Sequence, residues 1–581
     1  AAGDFDPEDV RYSTFRWITT DMGFAMGPSR ANPLTGEIID ADIIFDASMV
    51  RFWKQEYKMT RSGTAVSLLD QPSSIKAARL GWGLDHPLLH RPGEDDQGWN
   101  EPRKGDPKAR EVQLRAFQQG LCQCGAHMKY ELGLAAMAAA LQQVPAKPGD
   151  KGPAEKVPEE LIAQAIKHVV MHEVGHTLGL RHNFKASTML KNEDLHNTAI
   201  TRKQGLVGSV MDYSPANIAR KGQKQGDYFS VVLGPYDYWA IEYAYKPLGG
   251  GTDGEYEKLK EIANRGAMPG HDYGTDEDTV LTEDPLINRW DLGADPAKFG
   301  QDRILLAQEL MKELADKAVE KGEGYQRTRM AFSLILQQYG NGAYLTVRHV
   351  GGEHAHRDHK GDPNGRDPLV PVKADKQREA LKFLQENILT DKPFQFPPAL
   401  LRKLAVDRWS HWGSRMSSTD YPVHQRVLNI QRLVLDHVLD PEVLQRIQNN
   451  SLKVDGKDER PLTLAEVFRV LTDGIWSDLP NGGPKHPVPS SIVRRNLQRE
   501  HLKDLSDLVL GQKPDGYYAG SSAPPDARSL ARMHLREISK RIDATLNDRD
   551  SKLDDTTRAH LEECRERIAK VLGASITIRE P

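Results

Sequence analysis

The chain has 581 residues, of which 38% are hydrophobic and 28% are charged. Its 78 Lys and Arg residues nearly balance its 82 Asp and Glu residues, which argues against nucleic acid or an anionic membrane as the main partner. No run of about 18 apolar residues is present, so the sequence excludes a transmembrane helix. Three cysteines are too few for a disulfide scaffold and leave the cellular compartment open.

The first 60 residues are typical of β-structure. Segments 10–19 and 37–46 are rich in aromatic and β-branched residues, and the turn cluster 32–36 lies between them. Two helices are predicted next, over 126–143 and 159–178. Pro158 followed by two glutamates is a typical helix start, because proline suits the first turn and acidic groups favour the positive end of the helix dipole.

Three consecutive glycines at 249–251 indicate a domain boundary. We therefore predict an α+β domain over residues 1–248 and a mostly helical, all-α C-terminal domain over residues 249–581. Segments with apolar residues at helical spacing lie at 304–321, 376–387, 398–407, 426–449, 463–475, 494–510 and 528–546.

The motif with the clearest chemistry is HEVGHTLGLRH, residues 172–182. At about 100° per residue, His172 and His176 differ by about 40° and lie one turn apart, so both imidazoles can bind one metal ion. Glu173, next to the first ligand, can take a proton from metal-bound water without being a ligand itself.

His182 requires a break in the helix. A continuous helix would place it about 240° round from His176, on the wrong side. Gly179 tolerates positive φ, so the chain can turn there and bring His182 back to the metal. Three neutral imidazoles with one open position are typical of a catalytic zinc site, whereas the alternative is a solvated, His-rich helix end.

Downstream, residues 209–213 read SVMDY. Together with HEVGHTLGLRH, this segment resembles the metzincin superfamily of zinc endopeptidases, with their extended zinc motif and Met-turn. The segments DPEDVRYSTFRW, TGEI, HEVGHTLGLRHNF and LGPYDYWAIEY more narrowly resemble large bacterial zinc-dependent metalloproteases, over most of residues 6–246.

The resemblance implies roles for two further residues. Met211 would form an apolar floor beneath the three histidines, and Tyr213 would bind the zinc or stabilise the oxyanion. It also implies an extended protein or peptide substrate that pairs with a sheet edge above the helix. We expect a secreted or periplasmic protein.

The chain departs from the resemblance in two places. Asn183 follows the third histidine, where the best-known metzincin subfamilies have Ser, Pro, Glu or Asp, so it gives no guide to subfamily specificity. Metzincin domains usually begin with a strand and a long helix, whereas this chain starts just before what looks like a later strand. We therefore expect the first strand and helix to lie on an upstream segment, either absent from this chain or cleaved from it as a fragment of the same precursor.

Three weaker features suggest other ligands. Four acidic residues could hold Ca²⁺, with a solvated acidic loop as the alternative: Asp272, Asp276, Asp278 and Glu283. A histidine cluster suggests a second metal site, with a polar hairpin as the alternative: His349, His354, His356 and His359. Cys122 or Cys124 could supply a thiolate to the zinc, with buried structural cysteine as the alternative.

The sequence thus predicts a zinc metalloendopeptidase that hydrolyses peptide bonds through Glu173-activated, zinc-bound water. One alternative is a non-catalytic binding protein on a metzincin scaffold, against which the intact Glu173 argues. A second alternative is a zinc hydrolase of non-peptide bonds, which the Met-turn disfavours.

Overall fold

The computed structural model describes residues 6–19, 25–47, 124–142, 159–281, 283–319, 321–406, 419–455, 460–479, 489–511 and 523–574. Over these ranges the protein is a mixed α+β structure, which confirms the predicted fold class. None of the described helices is long and apolar enough to cross a membrane.

Four strands form the N-terminal sheet: β1 Thr14–Ile18, β2 Ala25–Met26, β3 Ser29–Ala31 and β4 Ile38–Asp46. β4 is the centre of the sheet. β1 runs parallel to it, with Thr14 opposite Asp42, while β2 and β3 run antiparallel to it. The pairs Met26 with Ile44 and Ser29 with Ala41 keep one register, so β2 and β3 form a single edge.

Between the sheet and residue 350, the described residues form eight α-helices: α1 Cys124–Gln142, α2 Glu159–Thr177, α3 Thr198–Gln204, α4 Pro235–Tyr245, α5 Gly251–Ala263, α6 Asp278–Leu281, α7 Pro296–Lys317 and α8 Gln326–Val347. A short hairpin follows, made of β5 Glu353–Ala355 and β6 Leu369–Pro371. Beyond the hairpin, the part of the chain that the structure describes contains α9 Ala374–Asn387, α10 Pro398–Leu401, α11 Val423–Val438, α12 Pro441–Ser451, α13 Leu464–Ile475, α14 Ile492–Leu510, α15 Pro525–Asn547 and α16 Asp555–Gly573.

α1 joins two hydrophobic cores. Leu132 packs with Phe45 of the sheet and Leu161 of α2 in one core, while Leu134 and Leu141 belong to the large core of the helical region. An Ala- and Leu-rich helix that is apolar all round is expected in such a buried position. The two regions are therefore continuous through α1, and the boundary predicted at residue 249 stays a prediction.

The helical region differs from the prediction in detail. The prediction of a single helix over 426–449 is wrong, because the chain forms two helices there, α11 and α12. Asp440 caps the second helix, and Pro441 lies in its first turn. α10 ends at Leu401 rather than at residue 407. α8 and α16 were not predicted, and the β5–β6 hairpin interrupts the region predicted to be all-α.

Candidate metal centre

The first two histidines of the motif lie on α2, as the helical spacing predicts. α2 begins at Glu159 and buries Leu161, Ala165 and Val169 against the sheet core. Further along the same helix, the ring centroids of His172 and His176 lie 4.8 Å apart. Both rings therefore project towards a common point.

The third histidine joins them because the helix ends where glycine allows it. Gly179 has φ +79°, and the Leu180 N–H donates to the Gly175 carbonyl at 3.0 Å across the last turn. This left-handed cap reverses the chain direction. His182 then lies with its ring centroid 4.8 Å from that of His176.

The three imidazoles fit a zinc ion. Each offers a nitrogen within 4.8 Å of the others, and the Nε2 atom of His176 is buried without a hydrogen-bond partner in the described part of the chain. Burial lowers the pKa of His172 well below its usual value and that of His176 to about 4, so both rings are neutral and keep a lone pair for a metal.

Hydrogen bonds at Nδ1 fix the orientation of all three rings. The acceptors are the Val210 carbonyl for His172 at 2.8 Å, the Leu180 carbonyl for His176 at 3.0 Å, and the Asp276 carboxylate for His182 at 2.8 Å. With Nδ1–H donating outwards, each ring directs Nε2 inwards. Such outer partners are typical of metal-ligating histidines.

Met211 lies directly beneath α2. It is fully buried, and a Cβ atom added at Gly175 would lie only 2.2 Å from its Sδ. The turn itself is held by Asp237 of α4, whose carboxylate accepts hydrogen bonds from the Ser209 hydroxyl at 2.6 Å and the Val210 N–H at 3.1 Å. Met211 therefore packs against α2 at Gly175, and its role as a floor beneath the three histidines stays a prediction.

Asn183, directly after the third histidine, connects this turn to the loop at residues 272–274. Its backbone N–H donates to the Met211 carbonyl at 3.1 Å, and its side-chain amide donates to the Asp272 carbonyl at 2.9 Å. The Gly274 N–H donates to its side-chain oxygen at 3.1 Å. The residue that departs from the best-known subfamilies is therefore a buried structural link.

Two further predicted site residues lie beside the histidines. The Tyr213 hydroxyl is 3.1 Å from Nε2 of His182, the nitrogen that faces the other two rings. Glu173 is fully buried, and both of its carboxylate oxygens are inaccessible to solvent. Their catalytic roles stay predictions.

The calcium site predicted from the acidic loop finds no support. Asp272 pairs with Arg366 at 2.6 Å, Asp276 with Arg289 at 3.0 Å, and Glu283 with Arg446 at 3.3 Å. Asp278 pairs with Arg357. These guanidinium groups already neutralise the oxygens that Ca²⁺ would require.

The histidine cluster at 349–359 does not form a three-ligand site in the described residues. His349 is buried and bonds to the Leu345 carbonyl, His354 bonds to Asp284 at 3.1 Å, and the His359 side chain is 92% exposed. Cys122 lies outside the described residues, as does the side chain of Cys124, so the thiolate prediction stays open.

One other group in the described residues has three close ligand atoms: Asp436, Glu500 and Asp504 in the helical region. Arg432 lies 3.3 Å from Glu500, and Lys503 lies 3.5 Å from Asp504. These cations balance part of the acidic charge, as expected for a structural ionic cluster.

Asp276 and Arg289 are site residues that the motif did not reveal. Asp276 was singled out only as a calcium ligand, yet it binds His182 through one oxygen and Arg289 through the other. No local pattern in the sequence marks Arg289 as a partner of Asp276.

Metzincin-type domains are defined by a zinc-binding helix that rests on a buried methionine. The α+β fold and the packing of α2 on Met211 place the chain in this class. The chain belongs to the Met-zincin family, whose model matches residues 154–483, more than half of its length. No curated protein and no solved structure matched the chain.

Proposed function

We propose that this protein is a zinc-dependent endopeptidase. The observation that carries the proposal is the convergence of three imidazoles, each anchored at Nδ1, with the buried carboxylate of Glu173 adjacent in sequence and the Tyr213 hydroxyl beside His182. The family supports zinc binding, whereas peptidase activity is our proposal.

When bound, zinc would act as a Lewis acid on the scissile carbonyl and make water more acidic. His172, His176 and His182 would hold it and leave one position open for substrate. Glu173 would accept a proton from the attacking water and return it to the leaving amine. The Tyr213 hydroxyl would donate a hydrogen bond to the negative charge that develops on the carbonyl oxygen.

The β2–β3 edge offers a place for an extended substrate. A Cβ atom at Gly27, between the two strands, would lie 2.1 Å from the Glu173 carbonyl oxygen, so this edge passes directly against the active-site helix. No further strand pairs with it in the described residues. An extended peptide could add to it through main-chain hydrogen bonds and present a peptide bond to Glu173.

The test compares the wild type with Glu173→Gln on an unfolded, fluorescently labelled protein. We expect zinc content to be unchanged and turnover to fall by about 10²–10⁴-fold, the usual contribution of general acid–base catalysis. The matched control is Glu160→Gln, an exposed acid on the first turn of α2, which should keep full activity.

The same assay separates the alternatives. Bound zinc and substrate capture without turnover in the wild type would favour the binding-protein alternative. Hydrolysis of a small amide or ester without cleavage of the unfolded protein would favour a non-peptide hydrolase.

We also propose a secreted or periplasmic location, supported by the resemblance to large bacterial metalloproteases. Cell fractionation followed by immunodetection tests this proposal. A signal confined to the cytosolic fraction would overturn it.

A further inference from the structure

The segment 288–290, Asn288-Arg289-Trp290, packs beside the metal centre although it lies more than 100 residues beyond the zinc motif. The Asn288 N–H donates to the Phe184 carbonyl at 3.0 Å, and the Trp290 N–H donates to the Tyr213 carbonyl at 2.9 Å. The segment is thereby attached both to the chain that follows His182 and to the turn that carries Tyr213.

Arg289 acts on His182 through a carboxylate. Its guanidinium lies 4.6 Å from the centroid of the Phe184 ring, and its Nη2 donates to one Asp276 oxygen at 3.0 Å. The other Asp276 oxygen accepts the Nδ1–H of His182 at 2.8 Å. The side chains of Arg289 and Asp276 are only 9% and 17% exposed, so this pair is largely protected from solvent.

Trp290 acts on Tyr213 through its ring. The two ring centroids are 5.4 Å apart, and the ring centroid of Phe184 lies 5.1 Å from that of the same tyrosine. Trp290 has φ +67°, a left-handed conformation that a bulky residue seldom adopts. Such outliers persist where the surrounding structure enforces them, often at functional sites.

The helical region in turn anchors this segment. Arg348, at the end of α8, donates to the Ile287 carbonyl at 2.7 Å and to the side chain of Asn288, and it is almost fully buried. His182 is therefore connected to α8 through hydrogen bonds and the backbone of residues 287–289.

We propose that segment 288–290 is a positioning element of the metal centre: Arg289 orients His182 through Asp276, and Trp290 fixes the ring of Tyr213. This inference rests on the proposed zinc site. A carboxylate that holds the outer nitrogen of a histidine ligand fixes its tautomer and raises its basicity, and loss of such a partner typically weakens metal binding by about 10- to 100-fold.

The experiment compares the wild type with Asp276→Asn and Glu277→Gln in two measurements. Zinc affinity is measured by competition with a chromophoric chelator, and the visible spectrum is recorded for the cobalt-substituted protein. Glu277 is the matched control, because it pairs with Arg181 at the surface and does not contact a histidine of the site. We expect Asp276→Asn to bind zinc about 10- to 100-fold more weakly and to change the cobalt spectrum. Glu277→Gln should match the wild type in both.

Two further variants test the same inference if Asp276→Asn does not fold. Arg289→Lys keeps the cation but loses the fork that matches a carboxylate, so it should weaken zinc binding in the same direction. Trp290→Phe should keep zinc affinity and lower kcat more than it raises KM, because only Tyr213 is released.

Two outcomes overturn the inference. Failure of the wild type to bind zinc removes both the proposed function and the positioning role. Tight zinc binding by the wild type, with affinities and cobalt spectra of Asp276→Asn and Arg289→Lys indistinguishable from those of Glu277→Gln, removes only the positioning role.

Discussion

Substitution of Gly175 by alanine tests whether α2 rests on Met211. The added Cβ would lie 2.2 Å from Sδ, whereas ordinary contacts begin near 3.4 Å. Since Met211 is fully buried, its side chain cannot swing into solvent to relieve the overlap. Either the sulfur moves or the helix rises from the turn, and both histidines that flank Gly175 then move with it.

The magnitude follows from two opposing effects. Overpacking of a buried site costs about 1–3 kcal/mol. Replacement of glycine by alanine inside a helix contributes up to about 1 kcal/mol in the other direction. We therefore expect Gly175→Ala to lower the free energy of unfolding by about 1–2 kcal/mol and to weaken zinc binding.

The assay is urea unfolding of the zinc-free protein, followed by chelator competition. Gly133→Ala on α1 is the matched control, because among the described residues its Cβ would meet only Leu334 Cδ1 at 3.9 Å, and it should stabilise by up to about 1 kcal/mol. The double variant Gly175→Ala/Met211→Ala should lose less unfolding free energy than the sum of the losses in the two single variants. A Gly175→Ala protein as stable as Gly133→Ala, with unchanged zinc affinity, would refute the packing of α2 on Met211.

Two further predictions concern stability. Burial lowers the pKa of His501 to about 3, and its Nδ1 accepts a hydrogen bond from the Trp476 indole at 3.1 Å. Below pH ~6.5, the unfolded chain therefore binds a proton at His501 that the folded chain does not bind. The unfolding free energy of the wild type relative to His501→Gln should then fall by about 1.4 kcal/mol per pH unit from pH ~6.5 downwards; a difference independent of pH would contradict this. Lys185 forms a buried ion pair with Asp284 at 2.8 Å, so Lys185→Met should lower the free energy of unfolding by about 3–5 kcal/mol. The control Lys298→Met breaks an exposed ion pair and should lower it by less than about 0.5 kcal/mol. Equal losses in the two variants would contradict the buried pairing.

The part of the site that follows helical geometry was predictable from the sequence. The one-turn spacing of His172 and His176 and the need for a break at Gly179 depend only on local backbone geometry. The predicted strands β1 and β4 and helices α1 and α2 also follow from local patterns, within a few residues at their ends.

The outer partners of the histidines were not predictable in this way. Asp276 lies 94 residues beyond His182, and nothing in the local pattern of GTDEDTVLTEDP separates a histidine partner from a calcium ligand. The arginines that neutralise the acidic loop lie between residues 289 and 446, so their proximity appears only in the folded chain.

The errors in the helical region have similar physical reasons. α8 is buried on nearly all sides, so its sequence lacks the alternation of apolar and polar faces that indicates a helix. The apolar residues of α11 and α12 recur at helical spacing across both segments, which predicts one long helix. The Asp440-Pro441 pair that separates them is a typical helix start, but the apolar spacing continues on both sides of it.

The metal centre depends on the region beyond residue 249 in a specific sense. Asp276 and Arg289 orient one ligand, and Arg348 of α8 holds the chain just before Arg289. Arg366, on the hairpin, pairs with Asp272 of the same loop that carries Asp276. Because a zinc ligand is only as well oriented as the partner that holds it, the helical region contributes to the geometry of the site itself. The family model, which runs from before α2 to beyond α13, spans the same combination of elements.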